Sequence, residues 1–579
     1  MGAAGVWLLT AVAGGSAQAA EPGTPIQLSP PNACFANLAI GGCTADPFGT
    51  FLRPLGVDVA PDGRDVYVAN QSRNIGHFRR DPATNALTPA GEFSAAGSFE
   101  LHRVVVAPNG ALALSAGGST SGDGRIEAFT RNPASGGLTP LGCADEAGAG
   151  VCVDADGLGG AEGLALAPSG PGIYVAASYG GPSDEGSVAA LALNTSSGAF
   201  SQLRCIAAID APSGKCSEQS GNEPVLGRAA AAAVSPDGRH VYFGGFAGLV
   251  GYNRDPNSGD LVSEADCLKR GAGEPLCPQE TRLPIVTDMA FSPDGEFLLA
   301  SGEAVLTVLD RNPLSGALTV IDCFRRPSSA SACPPLEGFQ GASGIATSPD
   351  GTVVYTTGNP VTDGQLRAFH FDPASGRLTS FACVAFTGTG GCAPGAGLLR
   401  AFAVDVSDDG RGLYVGSYEG TGTGDFGALA AFRIEQPLAP PPSPPADTTV
   451  TVRLLGKRLP VNRRGFTRLR IRCPAGEQSP PCSGRVTVRT RARVSFGGAR
   501  SSKRRRVVLA GAGFRIAAGR TQAVRLRLAR GKHRLLRRNR RARRVVAIAR
   551  VSDAAGNRRT VRKGLRATFK SRAKKKRGT

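Results

Sequence analysis

The sequence predicts an all-β protein in which a seven-bladed β-propeller is followed by a small β-sandwich. Three observations predict this fold class. A four-strand pattern recurs seven times in the first part of the chain, every cysteine has a near neighbour, and arginine alternates with apolar residues towards the C-terminus. With 579 residues the chain is also longer than one compact domain usually is, which favours two modules.

The repeat consists of two strands around a Pro-Asp-Gly type turn, then two strands around an Asp-Pro type turn. Four short strands in each period of 47 to 68 residues are typical of a propeller blade. The second turn occurs only six times, so the seventh repeat lacks its own fourth strand, and we expect residues 26–43 to supply it and close the ring. The first turn occurs seven times, centred on Asp62, Asn109, Ser169, Asp237, Asp294, Asp350 and Asp409.

The 14 cysteines form seven local pairs separated by 9 to 11 residues. Zinc ligands usually lie two to four residues apart, and a redox dithiol has the spacing C-x-x-C, so neither type of site fits these gaps. The spacing predicts seven disulfides and therefore an oxidising compartment. The predicted pairs are Cys34 with Cys43, Cys143 with Cys152, Cys205 with Cys216, Cys267 with Cys277, Cys323 with Cys333, Cys383 with Cys392, and Cys473 with Cys482.

The N-terminal residues indicate export. Residues 1–20 have an apolar centre and end in the small-residue sequence Ala-Gln-Ala, which is typical of a secretory signal peptide. No other stretch has the ~20 apolar residues of a membrane-spanning helix. We therefore predict a secreted protein, held at the cell wall by its second module, with no transmembrane span.

Charge divides the chain into two modules. Residues 447–579 contain 42 Lys and Arg against 3 Asp and Glu, whereas the preceding residues contain 24 against 43. The sequence between them, QPLAPPPSPPA, is a proline-rich spacer. The predicted boundaries are residues 1–20 for the signal peptide, 21–435 for the propeller, 436–447 for the linker, 448–567 for the β-sandwich and 568–579 for a basic disordered tail.

The repeats resemble a known family. The sequences DVYVAN (65–70) and FDPASGRLTSF (371–381) are similar to repeats of the lactonase-type seven-bladed propellers, which include bacterial phosphogluconolactonases and a fungal carboxymuconate cycloisomerase, and to YVTN surface-layer repeats. The resemblance covers residues 26–434 and implies lactone-ring opening or closing by His, Arg and Glu in the funnel. ELHRVVVAPNG (100–110) resembles the family's histidine motif, which implies a position at the funnel for His102.

Inner strands lead to the funnel, and each of them ends at the first turn of its repeat. The positions nine and seven residues earlier share a strand face by alternation, and they hold Arg53, Arg228, Arg400, His102 and Glu162. A histidine beside a carboxylate is a candidate general base, and arginines suit a carboxylate or oxyanion. The alternative is a set of solvated ion pairs between blades. Hence two functions stay open: a module that binds a small molecule or a protein, and a lactone hydrolase without a cofactor.

Other candidate sites are weaker. Asp123, Glu185 and Asp363 each directly precede a glycine in second-to-third-strand loops, and Asp425 lies two residues before one; calcium binding and ordinary turn chemistry are the two interpretations of these residues. We predict no metal site, since no EF-type loop is present. The five histidines lack diagnostic spacing, and there is no G-x-S-x-G sequence, which disfavours zinc enzymes and serine hydrolases.

The basic module alternates arginine with apolar residues, as in TRLRIRCP and AVRLRLARGKHRL, which predicts half-buried strands with one cationic face. ARVSDAAGNRRTVRK (549–563) resembles the last strands of bacterial immunoglobulin-like domains, which implies a small β-sandwich. The predicted partner is an anionic cell-envelope polymer. The alternatives are the acidic propeller of the same chain and a merely soluble face, while nucleic acid is disfavoured because aromatic residues are few.

Overall fold

The structure is a computed structural model that describes residues 20–569 except 38–41, 49–50, 96–99, 120–121, 149, 179–185, 208–215, 219–224, 272–276, 303, 359–362, 420–425, 437–448, 476, 478 and 497–503. The chain divides into two compact units, residues 1–439 and 440–579. The predicted signal peptide, nearly all of the linker and most of the basic tail lie outside the described residues. Within the described part, no helix has the length and apolar character needed to cross a membrane.

The first unit is a ring of seven antiparallel sheets, so the predicted all-β propeller is confirmed. Each sheet begins with an inner strand, and the second strands are buried along their length because a neighbouring blade packs on each face. Blades one to four consist of the strands Pro54–Val59, Asp65–Asn70, Asn74–Arg80, Leu87–Ser94; Glu100–Val106, Leu112–Gly118, Gly124–Arg131, Leu138–Asp145; Ala161–Leu166, Ile173–Ala177, Ser187–Leu193, Phe200–Ala207; and Ala229–Val234, His240–Gly245, Gly248–Arg254, Leu261–Lys269.

The last blade takes its outer strand from the N-terminus. Cys34–Ala36 pairs antiparallel with Phe426–Ile434, and Pro25–Gln27 pairs with the end of the same strand. This pairing covers the edge that the seventh repeat would otherwise leave open. Blades five to seven consist of the strands Asp288–Phe291, Phe297–Gly302, Val305–Arg311, Leu318–Arg325; Gly344–Thr347, Val353–Gly358, Gln365–Asp372, Arg377–Ala385; and Ala401–Val406, Gly412–Glu419, Phe426–Ile434.

All seven predicted disulfides are formed, and no cysteine is free. The prediction from spacing is therefore confirmed for every pair. Six of the bonds belong to the propeller and one to the second unit. The bonds are Cys34–Cys43, Cys143–Cys152, Cys205–Cys216, Cys267–Cys277, Cys323–Cys333, Cys383–Cys392 and Cys473–Cys482.

The six disulfides of the propeller each join an outer strand to the chain that follows it. One cysteine of each pair lies in the outer strand, as Cys143 does, and its partner, here Cys152, lies on the returning chain. In four blades the returning chain forms a short strand parallel to the outer strand. Cys43 and Cys216 directly precede two of these added strands, whereas Cys333 lies two residues before Pro335, which forms an isolated parallel bridge with Arg325. The added strands are Thr44–Ala45, Val153–Asp154, Ser217–Glu218 and Ala393–Pro394.

Adjacent blades are joined by buried tyrosine and arginine side chains. The hydroxyl of Tyr67 donates to the backbone oxygen of Gly136 in the next blade at 2.5 Å, and it accepts from Nε of Arg131 at 3.0 Å. The same guanidinium is 2.8 Å from the carboxylate of Asp62. Similar contacts join Tyr414 with Arg80, at 2.9 Å, and Tyr174 with Arg254, at 2.6 Å.

The second unit has two sheets around one apolar core. A three-stranded sheet contains Arg453–Leu454, Phe466–Arg472 and Thr521–Arg527, and a five-stranded sheet contains Arg458–Val461, Cys482–Thr490, Val508–Ile516, Arg544–Ser552 and Arg558–Phe569. The remaining elements are a two-stranded ribbon of Val494–Ser495 and Arg504–Arg505, a helix Arg530–Arg538 and a 3₁₀ turn Arg541–Arg543. The immunoglobulin-like assignment of this unit stays a prediction.

Candidate functional site

A cavity of about 300 Å³ lies at the centre of the propeller, where the inner strands begin. Six of the seven blades contribute to it, so that it exists only in the closed ring. Its lining combines two carboxylates, two guanidinium groups, an imidazole and two aromatic rings. The lining residues are Arg53, Leu55, Gln71, Glu100, His102, Arg103, Glu162, Ala230, Thr287, Phe402 and Tyr418.

A β-bulge directs one residue of each of five inner strands into this cavity. In each case the residue seven positions before the first turn is skipped in the pairing with the second strand. A bulged residue is released from the regular pleat, so its side chain takes a new direction. The five bulged residues are Leu55, His102, Glu162, Ala230 and Phe402, and all five line the cavity.

The arginines nine positions before the turn lie just ahead of their inner strands in an unusual backbone conformation. Arg53, Arg228 and Arg400 have φ values of 47°, 47° and 48°. Glycines occupy the same left-handed region at the equivalent positions of two other blades, Gly160 at 64° and Gly341 at 105°. The prediction from sequence assumed regular strand alternation, but alternation does not determine the position of these arginines. They are placed by a residue with a left-handed backbone that recurs at the mouth of the funnel.

Two of these arginines meet at one aromatic ring. The guanidinium carbon of Arg53 is 5.5 Å from the ring centroid of Tyr418, and that of Arg400 is 5.3 Å from it. Arg53 and Tyr418 both line the cavity. Arg228, in contrast, is exposed and is not among the lining residues. The structure thus brings Arg53, Arg400, His102 and Glu162 to one place and leaves Arg228 at the rim.

His102 is the imidazole of the cavity, and burial lowers its pKa below the usual value, against the opposing influence of Glu162 and Glu100. The imidazole is therefore neutral at pH 7 and able to accept a proton. The carboxylate of Glu100 accepts a short hydrogen bond from the side-chain amide of Gln71. This contact fixes one carboxylate of the cavity and leaves Glu162 as the acidic neighbour of the imidazole.

An ion pair crosses the channel between blades two and five. Nη2 of Arg103 is 2.6 Å from Oδ1 of Asp288, and both side chains are largely shielded from solvent. Two further inner-strand carboxylates, Asp58 and Asp405, accept hydrogen bonds from the backbone N of Val106 and Val59 in the next blade, at 2.5 and 2.7 Å. Burial raises the pKa of Asp405 to about 7 and also raises that of Asp58.

Counting along the inner strand missed Gln71, Arg103 and Tyr418. Gln71 and Tyr418 lie at the ends of second strands, where the loop to the third strand reaches the same face of the ring. A polar or aromatic residue at the end of a second strand was the feature of the sequence that could have indicated them. Arg103 was missed because simple alternation places it opposite His102, whereas the bulge lets both neighbours line the cavity.

Of the predicted loop carboxylates, that of Asp363 holds a neighbouring disulfide loop. Asp363 accepts a 2.8 Å hydrogen bond from the backbone N of Thr387 and another from the hydroxyl of Thr389, both within the Cys383–Cys392 loop. Asp123 accepts backbone hydrogen bonds at its carbonyl oxygen, while Glu185 and Asp425 lie outside the described residues. Glu264 and Glu477 each lie near a cysteine pair, but disulfide sulfur cannot ligate a metal as a thiolate does.

Comparison with known proteins gives two family-model matches. Residues 40–155 match the model described as lactonase, 7-bladed beta-propeller, and residues 279–305 match the model described as WD domain, G-beta repeat. No curated protein matches the chain.

Solved structures similar to this chain include proteins from two Bacteroides species that are named for a proposed 6-phosphogluconolactonase activity. The Bacteroides uniformis protein is 15% identical, with a TM-score of 0.40 over 56% of this chain and 83% of that chain. The Bacteroides fragilis protein is 13% identical, with a TM-score of 0.38 over 57% and 83%. A functionally unknown Desulfotomaculum acetoxidans protein is 13% identical, with a TM-score of 0.40 over 61% and 89%. The repeats resemble those of the lactonase-type seven-bladed β-propeller family, and the family model confirms this resemblance over residues 40–155.

Proposed function

We propose that the propeller is an exported binding module whose central cavity takes a small molecule bearing a carboxylate or a phosphate. The observation that carries this proposal is the left-handed backbone of Arg53, Arg228 and Arg400. Such a conformation costs a non-glycine residue about 1–2 kcal/mol, and glycine occupies the equivalent position in two blades without that cost. Strained residues of this kind cluster at ligand sites, where the side chain offsets the strain.

The chemistry of the cavity supports an anionic ligand of modest size. A volume of about 300 Å³ is at the lower end of small-molecule sites. A guanidinium group binds carboxylate and phosphate oxygens with two parallel hydrogen bonds. Glu100, Glu162 and Gln71 are suitable partners for the hydroxyl groups of a polyhydroxylated acid.

Calorimetric titration of the full chain with gluconate, 6-phosphogluconate and muconate tests this proposal. We expect binding of at least one of them, and a ten-fold to hundred-fold weaker affinity in Arg53→Ala, since Arg53 lines the cavity and a hydrogen bond to a charged group contributes about 1.5–3 kcal/mol. Arg64→Ala is the matched control, because Arg64 is an exposed arginine in the first turn of blade one. Equal affinities of the two variants for the ligand would contradict the proposal.

A second candidate function, lactone hydrolysis, is favoured by the neutral imidazole of His102 beside Glu162. In this reaction His102 takes a proton from the water that attacks the lactone carbonyl carbon. The ring C–O bond then breaks, and the leaving alkoxide oxygen receives that proton. The arginines would stabilise the oxyanion that forms in between.

Turnover of glucono-1,5-lactone and its 6-phosphate separates the two candidates. The hydrolase predicts turnover that His102→Ala abolishes and that His370→Ala retains, because His370 is on a third strand and pairs with Glu21 at the surface. Absence of turnover by the wild-type protein would exclude the hydrolase for these substrates and leave the binding module.

The location that we propose is the cell envelope. Seven disulfides support an oxidising environment, in which such bonds persist. The strongly basic second unit would attach the chain to an anionic envelope polymer. Sedimentation with purified cell walls across a salt series tests this attachment, since an electrostatic contact weakens as salt rises. Binding that is indifferent to salt would contradict it.

A further inference from the structure

One face of the second unit is lined by arginine. On the three-stranded sheet, the exposed side chains alternate with buried ones along each strand. Leu469, Ile471 and Leu526 point into the core, at 0–2% exposure. Six arginines point outward instead, namely Arg453, Arg468, Arg470, Arg472, Arg525 and Arg527. We call these six residues the arginine face.

The arginine face has no acidic residue of its own. The three strands contain no Asp or Glu, and the two described acidic residues of this unit, Glu477 and Asp553, are buried in loops at 9% and 6% exposure. Asp553 is hydrogen bonded to Asn557 in the turn before the last strand. Hence the positive charges of this face are not neutralised by carboxylates of their own sheet.

Pairing within the sheet places like charges directly opposite each other. Arg453 is the register partner of Arg472, and Arg468 is that of Arg525. Opposed like charges destabilise a sheet. A face that keeps two such pairs is suited to a polyanion, which removes the repulsion when it binds.

We propose that the arginine face binds a linear phosphodiester polymer that has no bases, such as poly(glycerol phosphate). This inference rests on the attachment role proposed above for the second unit and names its surface and partner. Successive outward arginines on a strand are about 6.8 Å apart, and the facing strand adds a parallel row about 5 Å away. Guanidinium groups at this spacing match an extended chain with one phosphate in each repeat unit.

The only aromatic residue on these strands argues against a nucleic acid. Phe466 is covered by guanidinium groups, with those of Arg525 and Arg527 at 4.3 and 5.6 Å from its ring centroid. Proteins that bind single-stranded nucleic acid stack bases on exposed aromatic rings. With its ring occupied by arginine, this face offers phosphate contacts but no stacking platform.

The test compares two triple variants of the full chain that lose the same charge. Arg468→Gln/Arg470→Gln/Arg525→Gln alters the arginine face, and Arg515→Gln/Arg558→Gln/Arg562→Gln alters exposed arginines of the five-stranded sheet that do not face another arginine. We expect the first to bind poly(glycerol phosphate) at least ten-fold more weakly than the second at 0.1 M salt. Its logarithmic salt dependence should also be shallower by about two to three units, one for each lost phosphate contact. The melting temperature checks that this variant stays folded, since it loses both one opposed arginine pair and the contact of Arg525 with Phe466.

Each other outcome overturns the inference in a distinguishable way. Equal weakening in both triple variants would show attraction spread over the whole unit, which rejects the arginine face but keeps electrostatic attachment. Stronger binding of the wild-type protein to single-stranded DNA of equal charge would reject the class of polymer. Failure of the wild-type protein to bind any of these polyanions would reject the attachment role itself.

Discussion

At the scale of single residues, the function proposed for the propeller rests on the backbone conformation of three arginines. Arg53, Arg228 and Arg400 occupy a conformation that glycine adopts without strain, and each does so at the same point of its blade. Folding alone would favour glycine there. Arginine at these positions therefore supports the binding function that we propose for the cavity.

Replacing Arg400 by glycine should relieve the strain, whereas alanine retains it. We expect Arg400→Gly to be more stable than Arg400→Ala by about 1 kcal/mol, although both lose the guanidinium group and its contact with Tyr418. Arg204, in the fourth strand of blade three, gives the opposite order, because glycine weakens a regular strand. Chemical denaturation of the glycine and alanine variants at positions 400 and 204 measures these differences in stability. A more stable alanine at position 400 would show that the left-handed conformation is not a cost.

Asp405 gives the stability of the propeller a pH dependence of unusual sign. Because burial raises its pKa to about 7, the folded protein binds this proton more tightly than the unfolded chain does, and the contribution of Asp405 to stability falls as the pH rises from about 4 to about 7. Asp405→Asn lacks this titration. The variant should gain stability relative to the wild type on the order of a few kcal/mol between pH 4.5 and 8.

Asp409→Asn is the control for that experiment. Burial acts to raise the pKa of Asp409, but hydrogen bonds from Ser407 and Arg80 lower it overall, so Asp409 titrates on the acid side of its usual range. Its stability difference from the wild type should stay constant over the same interval. A constant difference for Asp405→Asn as well would contradict the raised pKa.

At the scale of elements, the turns and cysteine spacings were predictable because they depend on local chemistry. Pro-Asp-Gly sets the turn angles, and paired cysteines close loops of nine to eleven residues, so both can be recognised without a partner strand. The bulge at His102 and the contacts of Tyr418 could not be recognised in this way. They depend on how a strand meets its neighbour and on how blades meet around the axis.

The tyrosines of the second strands should contribute through their hydroxyl groups. We expect Tyr67→Phe to lose about 1–2 kcal/mol, since both Arg131 and the oxygen of Gly136 lose a buried partner. Tyr252 is a matched control: its ring is also buried, but its hydroxyl has no hydrogen bond among the described residues. Tyr252→Phe should be neutral or slightly stabilising when unfolding is followed in denaturant. Equal losses in the two variants would show that the ring and not the hydroxyl group matters.

The disulfides should stabilise their blades by restricting the unfolded chain. For a separation of nine residues, removal of the Cys383–Cys392 bond by replacing both cysteines with serine should cost about 3 kcal/mol. The Cys473–Cys482 bond has the same separation but belongs to the second unit, so its removal in the same way should leave the propeller transition unchanged. An unaltered propeller transition in the first variant would show that this loop is held by its hydrogen bonds, including those of Asp363.

At the scale of the whole molecule, the chain combines two units of opposite charge. Residues 1–446 carry 24 basic and 43 acidic side chains, and residues 447–579 carry 42 and 3. Composition made this division visible, and periodicity made the propeller visible, because both are properties of the entire chain. Composition does not show in which direction each arginine side chain points. In the arginine face, the pairing of the strands determines that direction.

The ring depends on the N-terminal strands, because they cover the open edge of the seventh blade. A variant lacking residues 21–45 loses Cys34–Ala36 and Pro25–Gln27, and with them the buried ring of Phe35 and the hydrogen bond from Tyr355 to Gly23. We expect Phe426–Ile434 then to pair with other chains, so that size-exclusion chromatography shows oligomers and the melting transition broadens. The double variant Cys34→Ser and Cys43→Ser keeps the strands and removes only their disulfide, and it should elute as the wild-type protein does, with a lower melting temperature. A monomeric truncated protein with a sharp transition would show that the ring closes without these strands.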